Sequence, residues 1–206
     1  MAFAEGAICT YAGAADGSEQ SRATLRTNAS YSDYVLQLEF KWGRNRFGQR
    51  STKLRDAGII FHSFGDPGVV WPYGLEYQIG ESPLGGEWVT GDIWLIGEDV
   101  RAESSLKDGK FLDASTGGLR TAIGGKRYTR SETSIDVADH QNWNSVELTV
   151  HADREAEYRL NGVVVNRLFN MQVNENGWRP LGSGPIMLQA EWAEVSYRNI
   201  RIKELR

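Results

Sequence analysis

The stretch YGLEYQIGES (Tyr73–Ser82) decides the fold class. Leu75, Tyr77 and Ile79 make one apolar face, and Glu76 and Gln78 share the other, because side chains two apart on an extended chain point the same way. The segment therefore reads as a strand with one core face and one polar face. That polar face is either wet scaffold or the floor of a site.

The same period recurs on both sides of it. YVLQLEFKW (34–42) sets Leu36, Leu38, Phe40 and Trp42 against Val35, Gln37, Glu39 and Lys41. AGIIFHSF (57–64), GDIWLIG (91–97), NSVELTVHA (144–152), AEYRLNGVVVNRL (156–168), GPIMLQAEW (184–192) and AEVSYRNIRIKEL (193–205) follow. Asn161-Gly162 between apolar runs predicts a two-residue hairpin turn. No long helical period interrupts the series; a short turn near SIDVADHQ (134–141) is the best helical candidate. Many short strands without a βαβ rhythm predict an antiparallel two-sheet sandwich or jelly roll. Residues 98–133 are polar and glycine-rich and read as long loops with one or two short strands. The chain is expected to be a single domain over 1–206, with 1–30 the least defined part.

Composition narrows the function classes. With 40% hydrophobic residues and seven Trp, a core is assured and disorder is not expected. A formal charge of -4 gives no basis for nucleic-acid binding. The lone Cys9 cannot form an internal disulfide or a cysteine-based zinc site. No run is long enough for a membrane-spanning helix, and MAFAEGAICTYAG lacks the basic and apolar regions of a signal peptide. No phosphate loop, Gly-x-Ser-x-Gly elbow or His-Glu-x-x-His motif occurs, so no nucleotide cofactor is expected.

Parity also sorts the polar faces. Opposite the core, the strands present His62, Glu76 and Gln78, Asp92 and Trp94, and Gln189 and Glu191. An isolated Gln or Asp on an outer sheet face is ordinarily solvated surface. Carboxylates, amides, an imidazole and an aromatic ring together, without lysine, form instead the mixture that holds a sugar. His151, His140, Cys9 and the sequon Asn28-Ala-Ser30 carry weaker signals: an exposed hairpin end, a strand approach, an inert thiol and an acceptor without a known compartment.

The segments DAGIIFHS, VWPYGLEYQIGE, GDIWLIG, NWNSVELTV, RLNGVVVN and GPIMLQAEWAEVSYRNIRIKEL, in that order, resemble the 3-keto-disaccharide hydrolase family from about Tyr34 onward. The resemblance implies a concanavalin A-like jelly roll acting on glycosides already oxidised at C3, and bacterial relatives that are periplasmic or secreted. Phe61-His62 stands where many members have Phe-Arg, and Ala190-Glu191 where many have Asp-His. His in that strand, with Trp71-Pro72 before the Glu-x-Gln-Ile motif, is similar to members that cleave by elimination.

Under that resemblance, His62 is expected as the base for the C2 proton, or alternatively as a metal ligand. Glu76 and Glu191 are expected as the general acid or as ligands. Gln78, Asp92 and Gln189 would bind substrate hydroxyls, and Trp71 and Trp94 would form aromatic walls. His62 with Glu76 could hold a divalent ion, although their spacing does not demand one. Two rivals stand beside this reading. A retaining glycosidase of laminarinase type would pair Glu76 with Glu81 in EYQIGE, which falls in phase only across a bulge at Gly80. A non-catalytic lectin would need the Trp and amide residues alone.

Overall fold

The computed structural model describes residues 1–81, 89–124, 128–129, 139 and 141–206. Their strands are β1 (Ala2–Ala4), β2 (Ala7–Cys9), β3 (Ala23–Arg26), β4 (Asp33–Arg46), β5 (Asp56–Phe64), β6 (Tyr73–Gly80), β7 (Ile93–Ile96), β8 (Val100–Lys107), β9 (Lys110–Phe111), β10 (Leu119–Gly124) and β11 (Tyr128–Thr129). The series continues with β12 (Asn144–His151), β13 (Glu155–Leu160), β14 (Val163–Asn174), β15 (Trp178–Pro180), β16 (Met187–Ala190) and β17 (Ala193–Glu204). Two 3-10 turns, Gly48–Arg50 and Ala114–Thr116, are the helical elements among the described residues.

These strands build two antiparallel sheets, the jelly-roll sandwich that the alternation predicts. The large sheet runs β1-β2-β17-β4-β12-β13-β14-β8-β10, with β9 and β15 attached to β8 and β14. The small sheet runs β11-β7-β6-β5-β16-β3. Leu36, Leu38, Phe40 and Trp42 of β4 are all buried at alternate positions, as their period requires. They share one core with Ile59, Leu75, Tyr77, Ile79 and Leu188 of the small sheet. Asn161 and Gly162 turn β13 into β14 with φ of 49° and 83°, the left-handed pair of a type I′ hairpin.

Residues 98–133, read as long loops with one or two short strands, carry more strand than that: β8, β9, β10 and β11 lie there. The VRAESSLK segment is the eight-residue strand β8, paired to β14 and β10 inside the large sheet. Polar content hid it because its outer face is solvated, while Val100, Ala102 and Ser104 are buried at every second position. Residues 1–30 supply β1, β2 and β3. The expected turn at 134–141 and His140 lie outside the described residues, apart from Asp139 and Gln141. No helix of the described residues is long and apolar enough to cross a membrane.

β6 occupies the middle of the small sheet, between β5 and β7. From Gly74 to Gly80 every residue of it is buried, so its polar face is not wet surface. Glu76 and Gln78 face a recess of the sheet rather than its open surface.

Candidate active site

The outer face of the small sheet carries a cavity of about 300 Å³, and Glu76 and Gln78 line it. Strand register explains which side chains join them. Glu76 lies opposite Ile60 on β5 and Trp94 on β7, and Gln78 lies opposite Gly58. Asp56 and Gly58 thus fall on the cavity face with Ile60. Gln189 of β16 and Glu191, just beyond its end, complete the acidic side, and Trp71 and Trp94 supply aromatic walls.

Gly58 is required by this crowding. A methyl placed on it would stand 2.6 Å from Gln189 Oε1 and 2.8 Å from Glu76 Cδ, and closer still to Glu76 Oε1. A glycine inside a strand here marks the close approach of other groups to the backbone.

Arg50, from the 3-10 turn after β4, reaches across the chain to this face. Its Nη2 donates to Asp56 Oδ2 and, at 3.2 Å, to Glu191 Oε1. The Gln78 amide donates to Asp56 Oδ1 and, at 2.8 Å, to the Ala57 carbonyl. Three carboxyls therefore share the cavity, and the arginine serves two of them. Burial raises all three above the usual carboxylate range. For Glu76 the rise is large, because the neighbouring Asp56 and Glu191 charges add to burial and the Gln189 side chain opposes only part of it. For Asp56, burial and then the Glu191 charge push upward against Arg50. For Glu191, burial is opposed by Arg50 and, more weakly, by Arg22. Ionising all three would leave more buried negative charge than one guanidinium offsets, which favours the protonated form of Glu76 most strongly.

Of the residues singled out in the sequence, Glu76, Gln78, Trp71, Trp94, Gln189 and Glu191 are brought together. His62 is not. The pairing of β5 with β6 shifts register between Phe61 and Phe64, and His62 has φ of 47°. This bulge resets the alternation, so His62 packs edge-on against the core rings of Tyr34 and Phe61 and is fully buried. Its Nδ1 is 3.0 Å from the Leu181 carbonyl, and burial lowers its pKa to about 4. The expected base is therefore away from the cavity.

Asp92 is also corrected. It precedes β7 in a tight turn, fully buried, where its Oδ2 accepts the Val89 N–H at 3.1 Å. The pairing of His62 with Glu76 as metal ligands fails for the same reason as the base. Among the described residues, no three His, Cys, Asp or Glu side chains are grouped to hold an ion. The carboxylates nearest Glu76 are engaged by Arg50, so the donor set does not fit a divalent cation.

Glu81, the second carboxyl of a laminarinase-type pair, is likewise committed elsewhere. Arg55 and Arg46 donate to its oxygens, and the Arg55 N–H donates to Oε2 at 3.0 Å. Partial burial pushes its pKa up, but these partners together hold it below the usual range.

Asp56, Arg50 and Gly58 are the site residues that sequence reasoning missed. Extending the β5 alternation one residue before Ala57 finds Asp56 on the face of Gly58 and Ile60. Nothing local marks Arg50, whose partner Glu191 is 141 residues away.

The 3-keto-alpha-glucoside-1,2-lyase-like domain family model matches residues 3–203. A proposed glycosyl hydrolase from Parabacteroides distasonis ATCC 8503 superposes with a TM-score of 0.60 at 15% identity, over 98% of this chain and 88% of that one. A second from the same organism gives 0.51 at 19% identity, over 88% and 76%. At these identities the likeness concerns the fold. No curated protein matches the sequence. The match over nearly the whole chain places this protein in the 3-keto-alpha-glucoside-1,2-lyase-like domain family, with a carbohydrate-related function.

Proposed function

We propose that the protein is a glycoside-cleaving enzyme acting on 3-keto-glycosides by elimination. The observation that carries this reading is the buried trio of carboxyls around one arginine: Glu76 on the cavity floor, with Glu191 and Asp56 beside Arg50. Burial favours the protonated form of Glu76, and Arg50 opposes that effect at Glu191 and Asp56, so one cavity can offer both the proton donor and the acceptor that acid–base cleavage needs.

A ketone at C3 acidifies the C2 proton. Glu191, which lines the cavity and is made more basic by burial, takes that proton. The electron pair flows to the C3 oxygen, and the enolate is met by the positive charge of Arg50. The enolate then reforms the ketone, the C1–C2 double bond forms, and the bond from C1 to the aglycone oxygen breaks. Glu76 gives its proton to that leaving oxygen. Addition of water, with OH at C1 and H at C2, returns a 3-keto sugar, so the net change is hydrolysis. Asp56 and Gln78 hold the acidic face in register, and Trp71 and Trp94 offer flat surfaces to the sugar ring.

Turnover of a chromogenic 3-keto-β-glucoside beside its unoxidised parent, each with and without chelator, tests this. Cleavage of the keto compound alone, unchanged by chelator, is expected. Cleavage of the parent, or of neither, overturns the reading; loss on chelation restored by a divalent ion overturns the metal-free route.

A further inference from the structure

Trp71 gives the cavity an aromatic wall, yet it lies outside any strand, in the turn between β5 and β6. A side chain so placed needs another group to fix it. One face of its indole is covered by Arg22, with the guanidinium carbon 3.8 Å from the ring centroid. The same guanidinium lies 4.8 Å from the ring centroid of Trp192. Arg22 is therefore held between two indoles, and planar stacking with cation–π attraction suits a guanidinium better than an ammonium.

Trp192 is itself anchored. Its N–H donates to Tyr11 Oη at 3.0 Å, its carbonyl accepts the Phe47 N–H at 2.9 Å, and its Nε1 donates to the Gln20 carbonyl at 2.7 Å. These bonds hold it at φ of 56°, a conformation that a bulky residue keeps only when its surroundings enforce it. The residue before it is Glu191. The kink that aims this carboxyl at the cavity thus also presents the ring on which Arg22 rests.

We propose that Arg22 is a positioning residue of the sugar site: wedged between Trp71 and the anchored Trp192, it fixes Trp71 as the platform for the substrate's sugar ring. The proposal rests on the cavity being a sugar site, as argued above. Arg22 touches no reacting atom, so its main effect falls on KM, and its weak charge effect on Glu191 makes any change in kcat the smaller one.

The test uses the full chain labelled with 5-fluorotryptophan, with Trp71 assigned through Trp71→Phe. Arg22→Ala is expected to shift or broaden the Trp71 fluorine resonance, and Arg22→Lys to do so partially, with the fold retained because Arg22 lies at the surface. With a 3-keto-glucoside, KM rises about tenfold in Arg22→Ala, with a smaller change in kcat. An unmoved Trp71 resonance, or a loss of kcat with KM unchanged, overturns the proposal. Should the wild-type protein turn over no 3-keto-glucoside, the functional reading fails, and the Trp71 resonance alone decides whether Arg22 positions the ring.

Discussion

Gly58→Ala puts one methyl group into the most crowded point of the cavity. Its φ lies outside the left-handed region, so the backbone tolerates alanine and the whole effect is steric. Ordinary contact begins at 3.4 Å, so the Glu76 carboxyl carbon must withdraw by about 0.6 Å, Gln189 Oε1 by about 0.8 Å, and the nearer Glu76 oxygen by more. Both are the ends of flexible side chains, so the fold accommodates the change. Overpacking costs about 1–3 kcal/mol, offset by about 0.4–1 kcal/mol from the stiffer unfolded chain. The melting temperature should fall by no more than about 10 °C. Misplacing the proton donor by this distance costs about 100-fold in turnover. The assay pairs thermal denaturation with kcat and KM on the 3-keto-glucoside. A folded Gly58→Ala variant with wild-type turnover would refute the placement of Glu76 as the acid.

Further expectations follow from the same charges. Glu76→Gln mimics the protonated acid, so it should lose about 10²–10⁴-fold in kcat while keeping the fold. A folded-state pKa raised above the unfolded value of 4.5 makes wild-type stability decline as pH climbs past 4.5 toward the folded pKa. The stability advantage of Glu76→Gln in urea should therefore widen with pH, and a constant difference would contradict a protonated Glu76. His62 works in the opposite direction. Its pKa falls from 6.5 to about 4, so the unfolded chain binds the proton first and stability drops as pH falls through that window. The loss is about 3 kcal/mol by pH 4, and an imidazole resonance titrating near 6.5 would disprove the burial. Arg50→Ala strands the Asp56 and Glu191 carboxylates and should cost about 3–5 kcal/mol in urea denaturation. A variant within about 0.5 kcal/mol of wild type would show that those ion pairs carry no weight.

Alternation by itself fixes much of this protein. Leu36, Leu38, Phe40 and Trp42, or Leu75, Tyr77 and Ile79, have one way to bury their apolar surface, and that choice sends Glu76 and Gln78 to the opposite face. The Asn161-Gly162 turn is equally local, since its backbone angles belong to those residue types. Period fails where the backbone departs from it. At His62 a bulge adds a residue on one strand, and every parity inference beyond it reverses. β8 was hidden for a different reason, because a strand with one solvated face and several buried serines has no apolar signature. The charge state of the site lies further from the sequence still. Which of Asp56, Glu76 and Glu191 keeps its proton depends on where Arg50 ends up, and Arg50 meets Glu191 across 141 residues of chain. Local sequence determines which face a side chain takes, because the strand repeat is a property of neighbouring peptides. Only the folded sandwich decides which charges meet, because burial and electrostatics depend on distance through space.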